Sequence, residues 1–299
     1  MEICQKVRQE IKYRTIKELH EEKKYPIRTM CEILEIPHSS YYKWLKRKET
    51  EQEKIDYELC QIIQGYHDTF KGILGYRRMT LWINRLNHKQ YNVKRIRRLM
   101  RLIGIKSKIR LKRKGFIKST PQITAENLLN RNFEALATNT KWLTDVTEFK
   151  VIGTQKKVYL NAIIDLYDKS IVSYVIGFSN NNQLVFNTFD KAMEANPGAK
   201  PLFHSDRGYQ YTSKIFKAKL DAIEATQSMS RVGKCIDNGP MEGFWGTLKS
   251  EMYYLNQFHS MELLIEAIHE YIDFYNNQRF QANLKGLTPM EYRNQALAS

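Results

Sequence analysis

Apolar residues recur at helical spacing through the first part of the chain and change to a period of two after about residue 140. Helix positions three and four residues apart share a face, whereas alternate residues share a face in a strand. The sequence therefore predicts an α+β (α/β) multidomain chain. We predict two helical domains over 1–57 and 58–118, a linker over 119–139 marked by Thr120-Pro121, and a mixed α/β domain with closing helices over 140–299.

The apolar pattern in the first helical domain predicts a helix-turn-helix or a plain helical hairpin. A helix over about Ile27–Leu34 places Met30, Ile33 and Leu34 on one face, and Ile36-Pro37 ends it. Ser39 or Ser40 can then cap a second helix. Such a unit binds DNA when its second helix is exposed and basic. The basic residues within 43–48 favour that interpretation.

The second helical domain begins with the amphipathic segment LCQIIQGYHDTF. Two further helices follow, on either side of a turn near Asn87–Asn92. This again predicts a helix-turn-helix, and the last helix, in KRIRRLMRLIGIKSKIRLKRK, is the basic one. No long internal repeat is evident.

Positive charge is concentrated in these helical domains. The chain has 48 Lys and Arg against 32 Asp and Glu, a net charge of +16. Residues 1–139 hold 31 of the basic and 15 of the acidic residues, so the remaining 160 residues are neutral overall. Between Lys89 and Lys118 there are 13 basic residues and no acid. A run without internal partners repels itself unless a polyanion neutralises it.

This charge distribution predicts nucleic-acid binding through phosphate contacts. A solvated basic face and a membrane-surface helix are the alternatives. The candidate DNA contacts in the second helical domain are Arg77, Arg78, Lys94, Arg95, Arg97, Arg98, Arg101, Lys112, Arg113 and Lys114.

Several classes of protein are excluded by composition. The cysteines Cys4, Cys31, Cys60 and Cys235 form no CxxC pair, which argues against a zinc ribbon and a disulfide framework. The N-terminus lacks the apolar core of a signal peptide, and the apolar stretches are too short to span a bilayer. We therefore expect a cytoplasmic, nucleoid-associated protein with free thiols and no membrane partner.

The mixed domain opens with three β-branched segments joined by short connections, which predict antiparallel hairpins. A helix capped within Asn180–Asn182 follows, then a strand ending in HSDRG, a helix, a short strand and the closing helices. The order βββαβαβα is that of a ribonuclease-H-like domain.

Three acidic residues stand out by position. Asp145 is in the middle of the first strand, Asp206 ends the fourth, and Glu242 is near the start of a helix that Gly239-Pro240 initiates. In this fold the first and fourth strands are adjacent and the helix crosses beside them, so the carboxylates would converge. Converging carboxylates bind Mg²⁺ or Mn²⁺, and two such ions about 4 Å apart promote phosphoryl transfer. An edge Asp and a dipole-complementing Glu are the alternatives.

Other polar residues receive weaker interpretations. Asp165 is a structural candidate, Asp237 a candidate helix cap, and Glu148 a solvent-facing acid. Lys249 follows Glu242 by two helical turns and is either a DNA-phosphate contact or a solvent lysine. A Ser-His-Asp triad in 204–206 is excluded because alternate strand residues point to opposite faces.

The chain resembles the transposases of the bacterial insertion sequence 3 family, specifically the second-frame protein of the insertion-sequence-150-like branch, over nearly its whole length. The resemblance is carried by GYRRMTLWINR with VKRIRRLMR, WLTDVTEF, YLNAIIDLYDKSIVSYVIG, HSDRGYQYTS, SMSRVGKCIDNGPMEGFWGTLKSE and YIDFYNNQRFQANLKGLTPMEYR. The 35 residues between the second and third acids match the DD(35)E spacing. The resemblance implies metal-ligand roles for Asp145, Asp206 and Glu242, and a basic role for Lys249.

The resemblance further implies DNA strand transfer with Mg²⁺ or Mn²⁺, two ions in all, and no covalent protein–DNA intermediate. Water cuts at the 3′ end of the element, and the freed 3′-OH attacks another phosphodiester, first at the other end of the same element to give a circular intermediate. The implied partners are duplex DNA of the terminal repeats and target, further copies of the chain, and an upstream-frame DNA-binding protein. The chain departs from the family pattern at two positions. Many relatives have Ser or Asn where this chain has Gly243, and many have His where it has Gln281.

Three hypotheses share this fold. The first is an active transposase. The second is a DNA-binding regulator or partner of a longer frameshifted transposase, without catalysis. The third is a nuclease that only hydrolyses, which the basic helical half disfavours.

Overall fold

In a computed structural model, the described residues are 2–48, 50–108, 127–231 and 235–298. The chain divides into two compact units, Met1–Ser107 and Lys108–Ser299. The candidate DNA contacts Lys112, Arg113 and Lys114 and the start of the proposed linker lie outside the described residues. Among the helices of the described ranges, none has the length and apolar character needed to cross a membrane.

The described part of the first unit is helical. Its helices are α1 (Glu2–Lys23), α2 (Ile27–Ile33), α3 (His38–Leu45), α4 (Glu51–Thr69), α5 (Tyr76–Leu86) and α6 (Val93–Leu102).

A small core holds α1, α2 and α3 together, formed by Ile16, Met30, Cys31, Ile36 and Tyr41. The predicted apolar face of α2 is wrong at Ile33, which is 73% exposed. The predicted serine cap of α3 is also wrong, because Pro37 is the N-cap residue and both serines lie within the helix. Proline fixes its own φ near the helical value and has no N–H, so the helix begins directly after it.

In α4, α5 and α6 the helix ends follow local capping. Thr50 and Glu53 form a reciprocal capping box, so α4 begins at Glu51 and not near residue 58. The Asn92 side chain accepts a hydrogen bond from the Lys94 N–H at 2.8 Å and starts α6. The predicted turn between α5 and α6 is confirmed.

The second unit contains a five-stranded sheet with helices on both faces. The strands are β1 (Lys141–Lys150), β2 (Lys157–Asp165), β3 (Ile171–Gly177), β4 (Leu202–Ser205) and β5 (Thr226–Met229). The helices are α7 (Asn182–Ala195), α8 (Lys214–Ala222), α9 (Gly239–Glu251), α10 (Met261–Asn277) and α11 (Pro289–Leu297).

The sheet order is β3-β2-β1-β4-β5, with β1 antiparallel to β2 and parallel to β4. The predicted element order and the central adjacency of the first and fourth strands are therefore confirmed, and the fold is ribonuclease-H-like. The predicted cap of α7 is confirmed as well, because the Asn181 side chain accepts from the Leu184 N–H at 3.0 Å.

Alternation along the strands builds two core layers. Leu143 and Leu160 face α9 and α10, whereas Trp142, Ile163 and Phe203 face α7 and α8. Odd-numbered residues at the centre of β1 therefore point towards α9. This is the face on which Asp145 lies.

Candidate active site and nucleic-acid interface

Asp145 is held on β1 by one hydrogen bond to each carboxylate oxygen. Oδ1 accepts from the Val146 N–H at 2.8 Å, and Oδ2 accepts from the Trp245 indole N–H at 3.1 Å. Burial, together with the negative charges of Asp206 and Glu242, raises the pKa of Asp145 to about 7. The carboxylate is therefore costly to ionise in the absence of a compensating positive charge.

Asp206 is the first residue after β4, and its side chain is exposed. Its Oδ1 atom accepts from the Gly208 N–H at 2.9 Å. A Cβ atom at position 208 would lie 2.8 Å from Gln210 Oε1 and 3.1 Å from Asp206 Oδ1. A side chain at position 208 would therefore displace the side chain of Gln210 or of Asp206, and glycine leaves room for the turn that orients the carboxylate. Neighbouring protein atoms partly desolvate Asp206 and raise its pKa.

Glu242 lies in the first turn of α9 and is exposed. Partial desolvation raises its pKa. Among the residues that the structure describes, Gly243 beside it has nothing within 4 Å of the position that a Cβ would take.

The sequence-predicted acids occupy the elements expected of them. The charges of Asp206 and Glu242 both act on Asp145. Within the ranges that the structure describes, no group of three or more His, Cys, Asp or Glu side chains is arranged to hold a metal ion. A metal centre formed by the three acids stays a prediction.

A buried polar network lies behind Asp145. The Asn161 amide donates to the Asp145 main-chain oxygen at 3.0 Å and to the Tyr211 hydroxyl at 2.8 Å. The Asn238 amide donates to the Thr144 main-chain oxygen at 3.2 Å. The buried Oδ1 atoms of Asn161 and Asn238 accept no hydrogen bond in the described part of the chain.

Trp245 and Asn161 were not predicted as site residues. Trp245 occupies an apolar position of a helix and carries no local signal of function. Asn161 is a polar residue inside an apolar strand, which is the kind of signal that singled out Asp145. The hydrogen bond from the Trp245 indole to the Asp145 carboxylate, between α9 and the sheet, is what connects this core residue to the site.

The remaining acids have structural partners. Asp237 is not a helix cap, because its buried carboxylate accepts from Arg231 and Arg131 at 2.9 and 2.8 Å, and these contacts hold its pKa well below the usual range. Asp165 is buried against Arg293. Glu148 is exposed and pairs with Lys157.

His204 is a core residue. Its ring nitrogens contact the Ser228 and Ser230 hydroxyls at 2.9 and 3.1 Å, and burial lowers its pKa to about 4. The imidazole is therefore neutral at physiological pH, and it is bonded away from Asp206.

Lys249 lies on α9, and its Nζ atom is 5.3 Å from the centre of the Phe149 ring. The ring attracts the ammonium group and so orients the lysine over the end of β1. A DNA-phosphate contact by Lys249 stays a prediction.

The basic residues of the first unit fall into two groups, which the sequence did not separate. Arg78 donates to the Ile73 main-chain oxygen at 2.7 Å. Arg95 and Arg98 both pair with Asp56 on α4, the former at 2.7 Å. The basic run has no acid of its own, as expected, but the expectation that only a polyanion neutralises it is wrong for Arg95 and Arg98, because Asp56 from outside the run pairs with both.

The second group points outward. Lys94, Arg97 and Arg101 are exposed on α6 and lie three and four residues apart, opposite its buried face. The guanidinium groups of Arg77 and Arg97 lie 5.5 and 5.0 Å from the Tyr76 ring centre. The outward stripe of α6, defined as Lys94, Arg97 and Arg101, thus continues onto the start of α5.

Comparison with known proteins agrees with this architecture. Residues 54–113 match an HTH-like domain family, and residues 135–235 and 242–297 match two integrase core domain families. The chain is 41% identical to the putative transposase InsK for insertion sequence element IS150 of Escherichia coli, over 91% of this chain and 94% of that protein. It is 40% identical to an uncharacterized transposase-like protein of Haemophilus influenzae, over 69% of this chain and 94% of that protein.

Among solved structures, the magnesium-bound catalytic core domain of HTLV-2 integrase aligns with 54% of this chain and 99% of its own, at 20% identity and a TM-score of 0.42. The matched families make the chain an integrase-core enzyme of the polynucleotidyl transferase type with a DNA-binding HTH-like domain. The identity to InsK extends over almost the whole length of both proteins. The chain therefore belongs to the insertion sequence 3 family of transposases, in the branch that contains the IS150 transposase.

Proposed function

We propose that this transposase cuts the 3′ ends of its insertion sequence and joins them to another DNA strand, using Asp145, Asp206 and Glu242. The supporting observation is the raised pKa of Asp145, about 7, which comes from burial beside two further negative charges on separate elements. Such an arrangement opposes ionisation in the protein alone, and it is typical of a functional site.

The donor chemistry of the site fits Mg²⁺ or Mn²⁺. The candidate ligands are carboxylate oxygens, which hard divalent cations prefer. We propose that Asp145, Asp206 and Glu242 hold two such ions.

Two such ions, when bound, activate an attacking oxygen and stabilise the leaving oxygen. Asp145 offers its carboxylate from β1, Asp206 from the first position after the adjacent strand β4, and Glu242 from α9. Water attacks the phosphodiester at the end of the element, and a 3′-OH leaves. That 3′-OH then attacks a second phosphodiester, whose own 3′ oxygen leaves. The number of phosphodiester bonds is conserved in the second step, so no external energy source is needed.

We propose that DNA contacts divide between the two units. The outward stripe of α6, with Arg77, holds the phosphates of the element ends, because these side chains are exposed and have no acidic neighbour in their own helices. Lys249 holds a phosphate beside the acids. Arg78, Arg95 and Arg98 serve the fold of the first unit instead.

We propose that the helical part of the chain, predicted as 1–57 and 58–118, binds DNA and that 140–299 carries out the chemistry. Helix α4 runs across the predicted boundary at residue 57. A dimer or larger assembly on DNA follows from the need to join two ends. An upstream-frame protein stays a predicted partner. A regulator without catalysis is not favoured, because the chain matches transposases and integrase core domains over most of its length.

A strand-transfer assay with the purified chain, Mg²⁺ and labelled duplexes of the terminal repeats tests the proposal. We expect joined products, and we expect Asp145→Ala, Asp206→Ala, Glu242→Ala and Glu242→Gln to abolish them while DNA binding persists. Glu148→Gln is the matched control, because Glu148 is an exposed acid of the same strand as Asp145 and should retain activity. Activity in an acid variant would remove that residue from the site. Cleavage without joining would indicate a nuclease.

A further inference from the structure

Helix α9 is docked on β1 by two polar contacts that bracket Glu242. The Asn238 amide donates to the Thr144 main-chain oxygen at 3.2 Å, and the Trp245 indole donates to Asp145 Oδ2 at 3.1 Å. Glu242 lies four positions after Asn238 and three positions before Trp245, so the three side chains are on one side of α9. The placement of Glu242 relative to Asp145 therefore depends on these two contacts.

The Trp245 ring belongs to the core. It is 6% exposed, packs 5.0 Å from the Phe244 ring centre, and lies in the apolar layer beneath the sheet. A buried indole N–H requires an acceptor. The acceptor here is the carboxylate that the proposed chemistry uses, although main-chain oxygens of the core would satisfy the same need.

With this bond, both oxygens of Asp145 are fixed. Oδ1 is held by the Val146 N–H and Oδ2 by Trp245, so the plane of the carboxylate cannot turn freely. Each carboxylate oxygen has two lone pairs, and one hydrogen bond leaves the other available. Neutral donors that orient a carboxylate in this way raise its affinity for a metal ion.

We infer that Trp245 is a positioning residue of the active site: its indole N–H orients the Asp145 carboxylate and sets the distance from β1 to the turn of α9 that carries Glu242. This inference rests on the proposed function. The ring contributes stability, and the N–H contributes the orientation of the carboxylate.

Trp142 provides a matched control within the same unit. It is fully buried, and its indole donates to Asp165 Oδ2 at 3.3 Å, so it makes the same kind of bond to a carboxylate outside the site. Trp142→Phe and Trp245→Phe therefore both remove an indole N–H that donates to a carboxylate from a buried position. A general cost of losing an indole–carboxylate bond would appear in both variants.

The experiment titrates the full-length chain with Mn²⁺ by calorimetry and measures strand transfer at varied DNA concentration. We expect Trp245→Phe to bind Mn²⁺ about 10–100-fold more weakly and to show a lower kcat with an unchanged KM for DNA. Trp142→Phe should keep the Mn²⁺ affinity and the kcat of the parent. Thermal unfolding should show similar losses of stability in the two variants.

Unchanged Mn²⁺ affinity and kcat in folded Trp245→Phe would overturn the inference and leave the proposed function standing. Equal losses of affinity in both variants would overturn it too. A parent chain that binds no Mn²⁺ would contradict the proposed function itself, and the inference with it. A second pair of variants, Trp245→Gln and Trp245→Leu, separates the N–H from the ring. Both variants lack the ring, and only Trp245→Gln keeps an N–H donor. Equal Mn²⁺ affinities of these two variants would exclude a role for the N–H.

Discussion

At the scale of single residues, the charge of Asp206 has opposite effects on activity and on stability. Its negative charge contributes to the raised pKa of Asp145, so it opposes ionisation of its neighbour. Its Oδ1 atom accepts one hydrogen bond, from Gly208. An asparagine can keep this bond and remove the charge. Residues that carry chemistry commonly lower stability in this way.

We therefore predict that Asp206→Asn abolishes strand transfer without lowering stability. At pH 8 and without divalent cations, its unfolding temperature should equal or exceed that of the parent. Thermal unfolding followed by circular dichroism in a chelating buffer measures this. A fall of more than about 2 °C, the equivalent of roughly 1 kcal/mol in a domain of this size, would show that the carboxylate is needed for folding.

In contrast to Asp206, Asp237 carries a charge that stabilises the fold. Arg231 and Arg131 hold its pKa well below the usual value in the folded chain. A group with a lowered pKa contributes stability above its unfolded pKa of about 4, and that contribution is lost as the pH falls through the folded value.

We predict that Asp237→Asn lowers the free energy of unfolding by about 2 kcal/mol at pH 7, the worth of a hydrogen bond to a charged group. The difference from the parent should shrink as the pH falls below about 4, because the carboxyl group then takes up a proton in the unfolded parent while it stays ionised in the folded one. Urea unfolding at a series of pH values measures it. A difference that stays constant from pH 7 to pH 3 would contradict the assignment.

Residue-scale prediction from sequence works where a residue breaks a local rule. Asp145 stood out because an acid is unusual in an apolar strand. Glu242 obeys the local pattern of a helix start and was singled out by its place in the element order and by the DD(35)E spacing. The charge of Glu242 contributes to the raised pKa of Asp145. Trp245 obeys the local pattern of α9, so nothing in the sequence distinguishes its N–H. Arg95 and Arg98 carried a visible charge, but their partner Asp56 is about 40 positions away.

At the scale of elements, the errors of prediction from sequence lie mainly at the residues where helices begin. The order of elements along the chain and the α5–α6 turn could be predicted because period and turn residues are local signals. The adjacency of β1 and β4 followed from the likeness of that element order to a ribonuclease-H-like domain. The capping box of Thr50 and Glu53 is a sequence signal for the start of α4 at Glu51, but the helix was predicted to begin later in the chain. Pro37, interpreted only as a break, is itself the cap of α3. The exposure of Ile33 depends on how α2 packs, which periodicity does not determine.

Helix α11 is attached to the sheet through one buried arginine. Arg293 donates to Asp168 at 2.8 Å and to Asp165 at 3.2 Å, and its other terminal nitrogen donates to the Asn139 and Asn196 side chains, each at 2.6 Å. Both carboxylates are fully buried. Removing the guanidinium would take away the cation that is hydrogen-bonded to both buried carboxylates and leave only the longer-range charge of Lys169 beside them.

We predict that Arg293→Met lowers the free energy of unfolding by about 3–5 kcal/mol, the cost of breaking a buried ion pair from one side. Urea denaturation of the full chain measures this. Asn294→Ala, an exposed change on the same helix, should cost less than about 0.5 kcal/mol. A loss below about 1 kcal/mol in Arg293→Met would mean that the carboxylates find other partners or become protonated.

At the scale of the whole molecule, the excess charge lies in the half of the chain that carries the HTH-like match. The integrase-core half is neutral overall, because its acids balance its basic residues. The affinity for DNA should therefore depend on the helical half, and the chemistry on the other. Within the helical half, Asp56 neutralises part of α6, so fewer side chains are available for phosphates than the composition indicates.

We predict that Lys94→Gln, Arg97→Gln and Arg101→Gln together reduce the salt dependence of DNA binding. The slope of log affinity against log salt concentration should fall by about one for each phosphate that the variant no longer neutralises. Lys156→Gln, Lys191→Gln and Lys214→Gln remove equal charge from exposed positions of the second unit and should leave the slope nearly unchanged. Fluorescence anisotropy with terminal-repeat duplexes at several salt concentrations measures both. Equal slopes in the two triple variants would mean that net charge, and not the outward stripe of α6, governs binding.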